Sequence, residues 1–172
     1  MRHSTALPIA YVFLRILILL NWVFAGCVLA LLVFTFVNEA WTMKALGVTG
    51  MSDAAQVTWA MRGIAALGVA AAVPNYMILT RLLKMVETVR AGDPFVAANA
   101  YRLNAIAWLL VAMQLISMTI AVIGRVISTE EHPFHLDAGF SLNSWLAIIL
   151  CFVLARVFAE GTLMREDLEG TV

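Results

Sequence analysis

Charged residues cluster along this chain, and between the clusters run four windows free of Asp, Glu, Lys and Arg. They are Ile16–Asn38 (23 residues), Gly63–Thr80 (18), Leu103–Gly124 (22) and Ala138–Ala155 (18). A hydrocarbon core roughly 30 Å thick needs about 20 apolar residues as an α-helix, so each window predicts one membrane span. The expected spans are about 12–37, 61–82, 103–126 and 140–158, in a single four-span domain over residues 1–172. The expected fold class is all-α: an integral membrane four-helix bundle whose helices two, three and four extend into the cytoplasm.

The borders of the windows refine this picture. Pro8 opens an apolar run to Val37 that only Arg15 and Asn21 interrupt. Arg15 is expected to snorkel to lipid phosphates, and Asn21 to hydrogen-bond another helix. Gly47 and Gly50 suit a turn after the first span, and Asp53 with Gln56 three residues on suits a new helix start. Gly63, Ala66, Gly68 and Ala70–Ala72 give the second span a narrow face for close approach. Pro74 predicts a kink, with Asn75 beside it to answer the freed carbonyl. The clearest local signal is Arg90-Ala-Gly-Asp-Pro-Phe95: a glycine C-cap at Gly92, an N-cap at Asp93 and Pro94 at the first position of the next helix. Helix three then runs to about Gly124, with Gln114, Ser117 and Thr119 expected to bond between helices.

Composition and charge supply orientation. The chain has 172 residues, 63% hydrophobic and 13% charged, where a soluble domain carries about 25% charged residues. Placing the termini and the middle loop in the cytoplasm puts Arg2, Arg15, Arg81, Lys84, Arg90, Arg102, Arg156 and Arg165 inside, against Lys44, Arg62 and Arg125 outside. That bias predicts both termini in the cytoplasm, N-in and C-in. Trp41, Trp59 and Trp145 fall near the expected outer boundary, where indoles favour headgroups. Cys27 and Cys151 lie inside apolar windows and are expected to stay free. A net charge of zero argues against direct nucleic-acid binding.

Candidate chemistry is sparse. The second exterior loop holds Glu130, Glu131, His132, His135 and Asp137. Their spacing matches no strong metal motif and Pro133 bars a helical pair, so a solvated acidic loop is expected, with His132, His135 and Asp137 the metal candidates. No H-E-x-x-H, G-x-S-x-G or paired carboxylate at membrane depth occurs. No enzymatic activity and no cofactor are expected.

Two segments carry a specific pattern: Gly92-Asp93-Pro94-Phe95-x-x-x-Asn99-x-x-Arg102-Leu103, and Ala155-Arg156-Val157-Phe158-x-Glu160-Gly161-x-x-x-Arg165-x-Asp167-x-Glu169-Gly170-Thr171-Val172. The pair resembles the bacterial membrane family labelled domain of unknown function 2975. The resemblance implies four spans and no established activity. It also implies a neighbourhood: members are commonly encoded beside a small helix-turn-helix regulator of the Cro/CI type, a possible partner.

The residues themselves suggest how the two segments meet. Arg156 and Glu160 are four apart on one helix and can pair. Arg156 can also seek Asp93 or Glu87, and Arg102 can seek Glu160 or Glu166. Asp93, Asn99, Arg102, Arg156, Glu160, Arg165 and Asp167 are therefore expected to form one polar cluster on the cytoplasmic side. The leading expectation is a non-enzymatic membrane sensor or sequestering partner of such a regulator, in contact with the lipid bilayer and open to homo-oligomerisation. The alternative is a small transporter or channel, or an accessory subunit of a larger membrane complex, with Asn21, Pro74-Asn75 and Gln114 along a polar path.

Overall fold

The structure, a computed structural model, describes residues 6–47, 49, 53–128 and 138–170, and no strand occurs among them. Five helices follow in order: α1 (Ala6–Val37), α2 (Glu39–Ala45), α3 (Ala54–Arg90), α4 (Ala97–Ile127) and α5 (Leu142–Gly170). All but α2 are long and apolar enough to cross a membrane. The 32 residues of α1 and the 37 of α3 extend about 48 and 55 Å at 1.5 Å per residue.

The apolar windows are not used up in a protein core. Only 6% of the α1 window is buried, and 17% of each of the other three. Leu19, Phe24 and Val37 stay 65%, 64% and 78% exposed. Continuous apolar surface of this extent needs an apolar solvent. These helices mark a multi-pass membrane protein.

The contacts divide into two compact units. One comprises Met1–Leu20, Pro74–Ala112 and Ser141–Val172. Its buried apolar residues include Ile78, Leu79, Leu103, Ile106, Ala107 and Ile148. The other comprises Asn21–Val73 and Met113–Phe140. There Ala54, Val57 and Ile127 form a small core, against which Met43, Leu46, Met61 and Ile64 pack.

The helix boundaries have local causes. Pro8 sits in the first turn of α1, where its missing N–H costs nothing. Asn38 closes α1 and opens α2: its N–H donates to the Phe34 carbonyl at 3.0 Å, and its side chain accepts from the Trp41 N–H at 3.0 Å. The stretch after the first span, read from sequence as a turn, thus contains a helix, which Gly47 stops in the left-handed region at φ +70°. Helix α3 starts directly after Asp53, whose carbonyl accepts from Val57 N–H at 3.1 Å. It continues through Pro74 without a break.

One packing expectation needs correction. A Cβ at Gly63 or Gly68 would meet nothing within 4 Å, so neither glycine serves a close approach among the described residues. The close approach falls at Ala72, 6% exposed, whose carbonyl accepts from the Asn21 side chain at 3.1 Å. A small side chain there leaves the backbone within reach of α1, in the turn that Pro74 has weakened.

Candidate functional site

The α3–α4 connection is built by its backbone. The Gly92 N–H donates to Val89 O at 3.1 Å and the Asp93 N–H to Thr88 O at 3.0 Å. With Gly92 at φ +85°, this is the double closure of a glycine-ended helix. The expected N-cap at Asp93 does not form, because α4 begins only at Ala97. The Asp93 N–H is spent on closing α3, and its carboxylate pairs with Arg165 of α5. Residues 93–96 cross as a non-helical link, and the Asn99 N–H reaches back to Val96 O at 2.8 Å.

Asn99 organises that link. It is fully buried. Its side-chain amide donates to Thr88 Oγ1 at 2.7 Å and to the Pro94 carbonyl at 2.9 Å. Its carbonyl oxygen accepts from Arg102 Nη1 at 2.7 Å. One side chain therefore ties the end of α3, the link and the first turn of α4 together.

Segment two meets segment one at two points. Arg165 pairs with Asp93, both partly exposed. Phe95 stacks on Phe158 with centroids 5.3 Å apart and lies over Gly161, where a Cβ would come within 2.9 Å of its ring. Between them opens a cleft of about 240 Å³ lined by Asp93, Phe95, Val96, Thr162, Arg165 and Glu166.

Arg156 and Arg102, two of the other expected members, have partners within their own segments. Arg156 bonds Glu160 on its own helix at 2.8 Å, with side chains 78% and 55% exposed, rather than Asp93 or Glu87. Arg102 is held by Asn99 rather than by Glu160 or Glu166. Asp167 is exposed. Among the described residues, Asp93–Arg165 bridges the two segments by charge, while Arg156–Glu160 and Arg102–Asn99 each lie within one segment. The metal candidates His132, His135 and Asp137 lie outside the described residues, and no metal-holding group occurs among the described ones.

The second unit holds a feature that sequence reading missed. Arg62, expected to be an exterior charge, is only 6% exposed. Its Nε donates to Thr35 Oγ1 at 3.3 Å and its Nη2 to the Thr35 carbonyl at 2.6 Å. Glu39 lies 3.7 Å away, and the guanidinium sits 4.3 Å over Phe36 and 5.0 Å over Trp59. Beside it is an apolar cavity of about 320 Å³ between α1, α2 and α3, lined by Val28, Leu32, Thr42, Thr58 and Met61 among others. Asn38 and Glu39 next to a run of aromatics were the available signal, since a capped helix there covers Arg62. In the same unit Gln114 donates to Gly139 O at 2.7 Å and Ser117 accepts from Gly139 N at 3.0 Å. These polar residues hold the segment before α5 rather than another helix. Thr119 bonds its own helix at Leu115 O.

Comparison with known proteins adds one finding. The model of a family described as protein of unknown function (DUF2975) matches residues 38–172. The match begins where α1 ends and contains both patterned segments. No curated protein and no solved structure matches. With a family match over more than three-quarters of its length, from the start of α2 to the C-terminus, the chain belongs to the DUF2975 family.

Proposed function

We propose that this chain is a non-enzymatic bacterial inner-membrane protein, oriented N-in and C-in as a four-helix bundle, that senses or sequesters a small cytoplasmic helix-turn-helix regulator. The observation that carries this reading is the junction of the two patterned segments. Phe95 seated on Gly161 and Phe158, and Asp93 paired with Arg165, line a small polar cleft, and the same helix carries the exposed Arg156–Glu160 pair. Such a surface offers charge and shape to a soluble partner, and the lysine and arginine distribution supports a cytoplasmic placement.

Crosslinking in native membranes, read by mass spectrometry, tests the reading. The expected result is a small DNA-binding protein bridged to residues 93–102 or 156–167, lost in a chain truncated at Arg165. Crosslinks confined to other membrane proteins would refute it. They would favour the second reading, a transporter, channel or accessory subunit, which draws support from the buried Arg62 beside its cavity.

A further inference from the structure

Tyr11 on α1 is flanked by two guanidiniums. Arg15 lies 4.8 Å from the ring centroid and Arg90, from the end of α3, lies 5.0 Å from it. Two like charges gathered on one ring repel each other. Among the described residues neither has a carboxylate partner: the ion pairs there are those of Arg62, Arg156 and Arg165. Both arginines are exposed and Tyr11 is half-buried. Next to this pair, on the adjoining face of α1, is a shallow hollow of about 420 Å³ lined by Pro8, Ile9, Val12, Phe13 and Ile16. All five lining residues are apolar.

Helical side chains point toward the N-terminus, so Arg15 reaches back to the level of Tyr11. From there to Val37 the helix rises about 40 Å, the thickness of a bilayer with its headgroups. The guanidiniums thus lie at phosphate depth, and the hollow continues from them along the span. We infer that Tyr11, Arg15 and Arg90 form a binding site for the phosphate of an anionic phospholipid, with one acyl chain laid along Val12, Phe13 and Ile16. The guanidiniums present planar N–H groups to the phosphate oxygens, the ring holds the two cations in place, and the apolar hollow takes the chain.

The test uses the full chain in nanodiscs of phosphatidylcholine containing a minor share of phosphatidylglycerol. Native mass spectrometry counts the retained lipids. Arginine near an anionic surface contributes roughly a fivefold preference each. The wild type should therefore enrich phosphatidylglycerol about twenty-fivefold, and Arg15→Gln with Arg90→Gln should abolish that enrichment. Arg81→Gln with Lys84→Gln removes the same charge from α3 elsewhere and should leave most of it. Equal loss in both double variants would overturn the site in favour of diffuse attraction. No enrichment by the wild type, or displacement of the lipid by millimolar inorganic phosphate, would overturn it as well. Arg15→Lys with Arg90→Lys retains charge and guards against misfolding: it should keep a partial preference, and full loss in this folded variant would also count against a charge-based site.

Discussion

Replacing Asn99 by alanine should be among the most damaging single changes in the chain, although its side chain is neutral and small. The residue is fully buried and makes three side-chain hydrogen bonds, at 2.7, 2.9 and 2.7 Å. Thr88 loses little, because its hydroxyl still donates to Met85 O at 2.7 Å. The Pro94 carbonyl and the Arg102 guanidinium lose the partner these bonds gave them. Net contributions of about 1 kcal/mol for each neutral bond and 1.5–3 for one to a charged group sum to about 3–5 kcal/mol. For a chain of this size that corresponds to a melting-point drop of about 10 °C. Asn99→Asp should cost less, about 1–2 kcal/mol: it strengthens the contact to Arg102 but turns a donor toward the Pro94 carbonyl into an acceptor. The assay is thermal unfolding of the purified chain in detergent, followed by circular dichroism. If Asn99→Ala melts within about 3 °C of wild type, or if Asp proves worse than Ala, the network does not hold the hairpin as argued.

Three further changes separate packing from charge. Arg62→Met should be tolerated to within about 1 kcal/mol, because Thr35 Oγ1 keeps its bond to Leu32 O and the Thr35 carbonyl keeps the Thr42 hydroxyl, whereas Arg62→Ala opens the cavity and should cost about 2–4 kcal/mol; melting of both variants in detergent decides it. Gly161→Ala should leave stability nearly unchanged, since about 1 kcal/mol of helix propensity offsets displacement of the half-exposed Phe95 ring, yet it should abolish the nuclear Overhauser contact between the Phe95 and Phe158 rings. Reversing Asp93 or Arg165 singly should cost no more than about 1 kcal/mol, as expected for a partly exposed pair, and combining the reversals should restore wild-type melting.

The spans were readable because apolar length and the absence of charge are local properties, and α3 starts and ends where the charges and Gly92 place it. The helix start after Pro94 was misjudged by three residues for a physical reason. An aspartate before a proline is a good N-cap in isolation, but Asp93 has a competing partner 72 positions away. The burial of Arg62 is not legible locally, because Thr35, Phe36 and Glu39 reach its guanidinium from the distant end of α1 and from α2. Asn99 could be singled out as part of a pattern, yet nothing local to it reveals that its three partners come from three different pieces of chain. Pairings that depend on which helix faces which are settled by packing, and packing is where periodicity stops informing.

The two kinds of polar residue in the patterned segments therefore call for different experiments. Asn99 and Arg102 shape the hairpin, so a loss of activity on changing them mixes recognition with folding. Arg156 and Glu160 form an exposed i,i+4 pair, a contact that typically contributes about 0.3–0.5 kcal/mol. Among the described residues no packing contact requires charge at either position, and Val157 beside them is 52% exposed. Glutamine at both positions should melt with the wild type. Any change it causes in what the chain binds in native membranes then reports on the surface alone. If partner binding survives that double change but is lost on Gly161→Ala, the shape around Phe95 carries recognition. If the order is reversed, the charges do.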